Sequence, residues 1–107
     1  MADPNQIEVR VPNRLGLHAR PAAHFVRASH RFVSEIYVGR GGVEVNGKSI
    51  MGVMMLAAEQ GATIQIRAEG SDAREAIREL AALVSRGFDE DEEGRPIAGD
   101  ESAGPPS

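Results

Sequence analysis

Gln6-Ile7-Glu8-Val9-Arg10-Val11-Pro12-Asn13-Arg14-Leu15-Gly16-Leu17-His18-Ala19-Arg20-Pro21-Ala22 is the stretch on which the fold turns. It opens on strict alternation. Ile7, Val9 and Val11 face one way and Glu8 and Arg10 the other, the pattern of a half-buried strand. Pro12 to Gly16 reads as a loop. A helix is predicted from Ala19 to about Arg31, with Ala19, Ala22, Ala23, Phe25 and Val26 on its apolar side. Pro21 suits its first turn, where a missing N–H costs little. His18 therefore stands directly before a helix start. An anion there meets free backbone N–H groups and the positive end of the helix dipole. Arg20 adds a planar cationic fork suited to phosphate oxygens. The local chemistry is that of an imidazole that can take a phosphoryl group and have its charge held afterwards.

Working outward, Ser34 to Gly39 reads as a second strand with Ile36 and Val38 inward, and Val43 to Val45 as a short third. Asn46-Gly47 signals a turn. Ser49 is placed to N-cap a short helix over Ile50 to Ala58. Thr63 to Ala68 alternates again, Ile64 and Ile66 inward. Asp72, with Glu75 three residues on, has capping-box spacing. Ala76, Ile77, Leu80, Leu83, Val84 and Phe88 continue as one helical stripe, with Gly87 as its stop. The order is βαββαβα. Cleanly alternating strands imply a sheet with one covered face, and three amphipathic helices can cover it. The expected class is α+β, an open-faced β-sandwich.

The chain has 107 residues, 41% of them hydrophobic, which fits one folded domain. It has no cysteine, which excludes disulfides, thiolate catalysis and Cys-based metal sites. The start has neither a basic nor an apolar leader region, and the longest apolar run is too short to span a bilayer. The expected location is cytoplasmic. From Asp89 onward there are seven acids and one base, against nine acids and eleven bases before it. Residues 1–88 are thus expected to form the domain, and 89–107 an acidic, disordered, solubilising tail. Scattered bases and few aromatics give a nucleic-acid-binding reading little support. His18, His24 and His30 are six residues apart, about 240° around a helix, so they share no face and no metal site is expected.

Gly16 to Ala22 resembles the active-site signature of HPr, the histidine-containing phosphocarrier of the bacterial phosphoenolpyruvate-dependent phosphotransferase system. Lys48-Ser49-Ile50-Met51-Gly52-Val53-Met54 resembles the regulatory serine segment of the same family. The resemblance covers about residues 6–88. It implies a four-stranded antiparallel sheet, strand order 1-4-2-3, with three helices on one face. It also implies that His18 accepts a phosphoryl group through Nδ1 from phosphorylated enzyme I, with Arg20 as its electrostatic partner. The group would pass to an A-type domain of a sugar permease or a regulatory protein. Such a protein is a carrier and not an enzyme. It binds no cofactor itself, because phosphoenolpyruvate and Mg²⁺ are used by enzyme I, and it is expected to be a monomer. Ser49 matches the serine that a dedicated kinase phosphorylates in many bacteria.

Val53 and Leu56 are the better core candidates of the short helix, which leaves Ile50, Met51 and Met54 outward as an apolar docking patch. Arg27, seven residues after Arg20, and Lys48 are the candidate rim bases for an acidic partner. Leu83 to Asp91 and Asn13 to His18 resemble the nitrogen-related branch of the family, whereas Asn46 to Met54 resembles the serine-regulated type. Sugar-uptake and nitrogen-regulatory acceptors both stay open. So does a purely regulatory module, in which phosphorylation selects partners without onward transfer.

Overall fold

The computed structural model describes residues 5–90 and Arg95. The elements run β1 (Gln6–Arg10), α1 (Ala19–Ser29), β2 (Glu35–Arg40), β3 (Val43–Asn46), α2 (Ile50–Met55), β4 (Thr63–Glu69) and α3 (Ala73–Ser85), followed by a 3₁₀ turn, Gly87–Asp89. The four strands form one antiparallel sheet in the order β1-β4-β2-β3, which matches the expected architecture. Alternation sets which residues are covered. Ile36, Val38, Ile64, Ile66 and Ala68 are buried against the helices, with Val11, Ala22, Phe25, Val53, Leu80 and Val84. The same alternation turns Glu8, Tyr37, Gln65 and Arg67 to the open face. There Arg67 lies over the Tyr37 ring at 4.2 Å and pairs with Glu44 and Glu69. The Arg67 hydrogen bond holds the Glu44 carboxyl below the usual carboxylate range. Among the described residues no helix is long and apolar enough to cross a membrane.

Several expected boundaries move. The first strand ends at Arg10, and Val11 is buried just beyond it. Ile7 is half exposed, because β1 is an edge strand. In α1 the buried face is Pro21, Ala22, Phe25, Val26 and Ser29, while Ala19 is exposed. The second helix stops at Met55 rather than Ala58, since Ala57 takes a left-handed φ of 50° and turns the chain back. The stripe of α3 also breaks early. Gly87, at φ 70°, ends it, and Phe88 is buried from the following turn at φ 58°.

Asp72 is the N-cap residue of α3, but its carboxylate makes no cap bond. It accepts from the backbone N–H groups of Val33 and Ser34, both at 3.0 Å, and from the Ser34 hydroxyl. The expected capping box is replaced by a tie between the start of α3 and the loop entering β2. These bonds hold the Asp72 carboxyl below its ordinary range, the Ser34 hydroxyl contributing most.

The expected domain boundary after Phe88 falls too early. Asp89 belongs to the 3₁₀ turn, its carboxylate held by Arg86 at 2.9 Å, and Glu90 is buried. The rest of the acidic segment, apart from Arg95, lies outside the described residues.

Candidate functional site

The loop between β1 and α1 is fastened on both sides. Gly16 takes a φ of 68°, and a Cβ there would stand 2.5 Å from the Ala58 carbonyl oxygen. That space lets the Leu17 N–H donate to Ala58 at 2.8 Å, while the Leu17 side chain enters the core. His18 follows as the N-cap residue of α1, with extended backbone. Its carbonyl accepts from Ala22 at 3.0 Å, and its side chain makes no cap bond. The imidazole is thus released from structural duty and stands at the positive end of an eleven-residue helix, 35% exposed. Arg20 is exposed on the first turn of that helix.

Behind the ring sits a residue that sequence reasoning assigned to a solvated tail. Gly87, Phe88 and Asp89 all take left-handed φ, and the buried Phe88 ring anchors the turn. This bend brings Glu90 back to α1. Its Oε1 lies 3.4 Å from His18 Nε2, and its side chain is only 2% exposed. Asn13 donates from Nδ2 to the same oxygen at 3.3 Å and to the Gly16 carbonyl at 2.8 Å. Asn13 is buried and was likewise not singled out in the sequence. The only available signal for either was the likeness of Leu83 to Asp91 and Asn13 to His18 to the nitrogen-related branch.

Ser49 is the N-cap of α2, its Oγ accepting from the Gly52 N–H at 3.0 Å. Val53 and Leu56 point into the core. Ile50, Met51 and Met54 are exposed, and Met55, at 75% exposure, extends the patch. Helix α2 packs against α1, and the turn leaving it receives Leu17, so patch and histidine share one end of the molecule.

The two rim bases are placed differently from expectation. Lys48 is half-buried, and its Nζ donates to the Phe32 carbonyl at 2.8 Å, which ties it to the loop after α1. Arg27 lines the groove between α1 and α3 with His24, Arg31, Arg78 and Glu79, on the side of α1 that faces α3 rather than α2.

An open-faced α+β sandwich with a half-exposed imidazole at a helix head is the architecture of a phosphocarrier domain. Residues 5–86 match the family model described as the PTS HPr component phosphorylation site. The phosphocarrier protein HPr of Neisseria meningitidis is 44% identical over 84 residues, 78% of this chain and 94% of that protein. The crystal structure of HPr-C-His from Thermoanaerobacter tengcongensis superposes with a TM-score of 0.77 at 43% identity, covering 80% of this chain and 97% of the other. Crh of Bacillus subtilis, described as a domain-swapped dimer, is 41% identical with a TM-score of 0.64, covering 81% and 97%. The chain belongs to the HPr family of phosphocarriers of the phosphotransferase system.

Proposed function

We propose that His18 is the phosphoryl acceptor, through Nδ1. The donor is enzyme I, charged by phosphoenolpyruvate and Mg²⁺, and the acceptor is an A-type domain of a permease or a regulatory protein. The observation that carries this reading is the position of His18, the residue at the head of α1, with an imidazole that has no cap bond to make. The Nδ1 lone pair forms the bond to phosphorus as the bond to the donor breaks in line, and its electron pair stays with the donor. The helix end and the Arg20 guanidinium offset the charge on the phosphoryl oxygens. The chain is a carrier that ends each cycle unchanged. In this reading it acts in the cytoplasm and as a monomer.

The exposed face of α2 is the docking surface in this reading. Ile50, Met51 and Met54, with Met55, offer adaptable apolar contact to more than one partner. Ser49, at the head of the same helix, is the regulatory position. Incubation with enzyme I, phosphoenolpyruvate and Mg²⁺, followed by intact mass, tests the core claim. The wild type should gain one acid-labile phosphoryl group. His18→Ala should gain none, and equal labelling of that variant overturns the assignment.

A further inference from the structure

Glu90 reaches His18 from 72 residues away, and almost nothing of its side chain meets solvent. Burying a carboxylate is costly unless donors surround it. Two nitrogens face Oε1, the Asn13 Nδ2 donor and His18 Nε2. Oε2 has no hydrogen-bond partner among the described residues. Asn13 itself is fixed by its bond to the Gly16 carbonyl, so its amide hydrogens point at oxygens on both sides. A buried and under-satisfied carboxylate on the functional residue is an expensive arrangement for a mere plug.

An ionised carboxylate can only accept. With Glu90 ionised, the ring nitrogen that faces it, Nε2, carries the hydrogen. In a neutral imidazole the other nitrogen, Nδ1, then holds the lone pair. We infer that Glu90 is a positioning residue that fixes His18 as the Nε2–H tautomer, presents Nδ1 as the nucleophile, and holds the positive charge that the ring acquires on transfer. The inference rests on His18 being the acceptor. When the Nδ1 pair bonds to phosphorus, the ring becomes cationic, the Nε2 proton stays in place, and no proton needs to leave. Onward transfer reverses the charge, again without proton movement. A carboxylate behind an imidazole fixes tautomer and orientation, and stabilises the cationic ring, in the same way for the general-base histidine of hydrolytic triads. The 3.4 Å separation is long for a hydrogen bond, and contacts of this kind tighten as the reacting complex forms.

The test uses the full chain, ¹⁵N-labelled, at about pH 8.5, where an ordinary imidazole is neutral. Long-range ¹H–¹⁵N spectra report which nitrogen of His18 bears hydrogen. The wild type should show Nε2–H alone, with an Nε2 proton slow enough in exchange to be observed. Glu90→Gln and Glu90→Ala should lose that resonance and mix the tautomers. Their phosphorylation by enzyme I should slow by about 10- to 100-fold, by analogy with the loss seen when the carboxylate behind a metal-binding histidine is removed. Glu90→Asp, if it keeps the carboxylate within reach, should recover part of both. A wild-type spectrum dominated by Nδ1–H overturns the inference, and needs no variant to fold. So do Glu90 variants that melt earlier yet keep the wild-type tautomer and rate, which would make Glu90 a packing residue. If the wild type is not phosphorylated on His18 at all, the acceptor reading fails instead, and the tautomer spectrum tells the two failures apart.

Discussion

Leu17 donates its N–H to the carbonyl of Ala58 at 2.8 Å, across a gap that only a glycine at position 16 leaves open. The residue before the His18 imidazole is thereby stitched to the turn that follows α2. Placement of His18 and placement of α2 become one structural fact.

Gly16→Ala should break that stitch. The left-handed φ of 68° costs an alanine about 1–2 kcal/mol, and its Cβ would meet the Ala58 and Glu59 backbone, which adds about 1–3 kcal/mol. Thermal melting should fall by at least about 10 °C. Phosphorylation of the folded fraction should slow as well, because His18 moves with the loop. A melting point within about 2 °C of wild type would mean that the two turns are not coupled through this contact.

Arg20→Lys keeps the charge and removes the fork. Two parallel N–H donors match two phosphoryl oxygens, and an ammonium offers only a point charge. The variant should melt like the wild type, since Arg20 is exposed on the first helical turn. Its transfer rate from enzyme I should drop by about tenfold, consistent with the loss of one charge-assisted bond. Rates equal to wild type under single-turnover conditions would leave Arg20 as a surface charge.

The parts of the fold that were legible are those where burial repeats with the period of the backbone. Ile36 and Val38, and Ile64 and Ile66, alternate in sequence and in burial. The α3 stripe from Ala76 to Val84 behaves likewise. The helix-start positions of His18 and Ser49 were legible because a helix start has its own local chemistry. Glu90 and Asp72 were not. A carboxylate in an acidic run looks solvated, and one before a helix looks like a cap. Their partners lie 72 and 38 residues away. The tie of Lys48 was hidden for the same reason, since its carbonyl partner, Phe32, lies 16 residues away in the loop after α1. Phe88 kept the helical phase in sequence, but Gly87 had already ended the helix.

The Asp72 tie makes a pH-dependent contribution to stability. Its folded-state pKa is lowered, so the unfolded chain binds the proton more tightly. The contribution is therefore full above the unfolded value, near pH 3.9, and is lost as pH falls through the lower folded value. Asp72→Asn should lower the melting temperature at pH 7 by several degrees. The gap between variant and wild type should close in the acid range, because protonation has already removed the wild-type advantage. Melting curves from pH 7 to pH 2.5 check this. A gap that stays constant to the lowest pH would assign the loss to packing rather than to the charged hydrogen bonds.

Ser49 separates a structural role from a regulatory one through two substitutions. Its Oγ accepts the Gly52 N–H, so Ser49→Ala should cost about 1 kcal/mol of stability and leave transfer from enzyme I unchanged. Aspartate is as good a cap as serine, and its charge sits favourably at a helix start. Ser49→Asp should therefore melt near wild type. The same charge stands at the head of the helix that exposes Ile50, Met51 and Met54. If enzyme I brings an acidic surface to that patch, association slows by repulsion and by desolvation of the new carboxylate. The loss should be largest at low salt and shrink toward 0.5 M, as the screening length falls from about 10 Å at 0.1 M toward the 3 Å of molar salt. Stopped-flow phosphorylation across a salt series measures it. A Ser49→Asp protein charged as fast as wild type at low salt would reduce Ser49 to its hydrogen bond with Gly52.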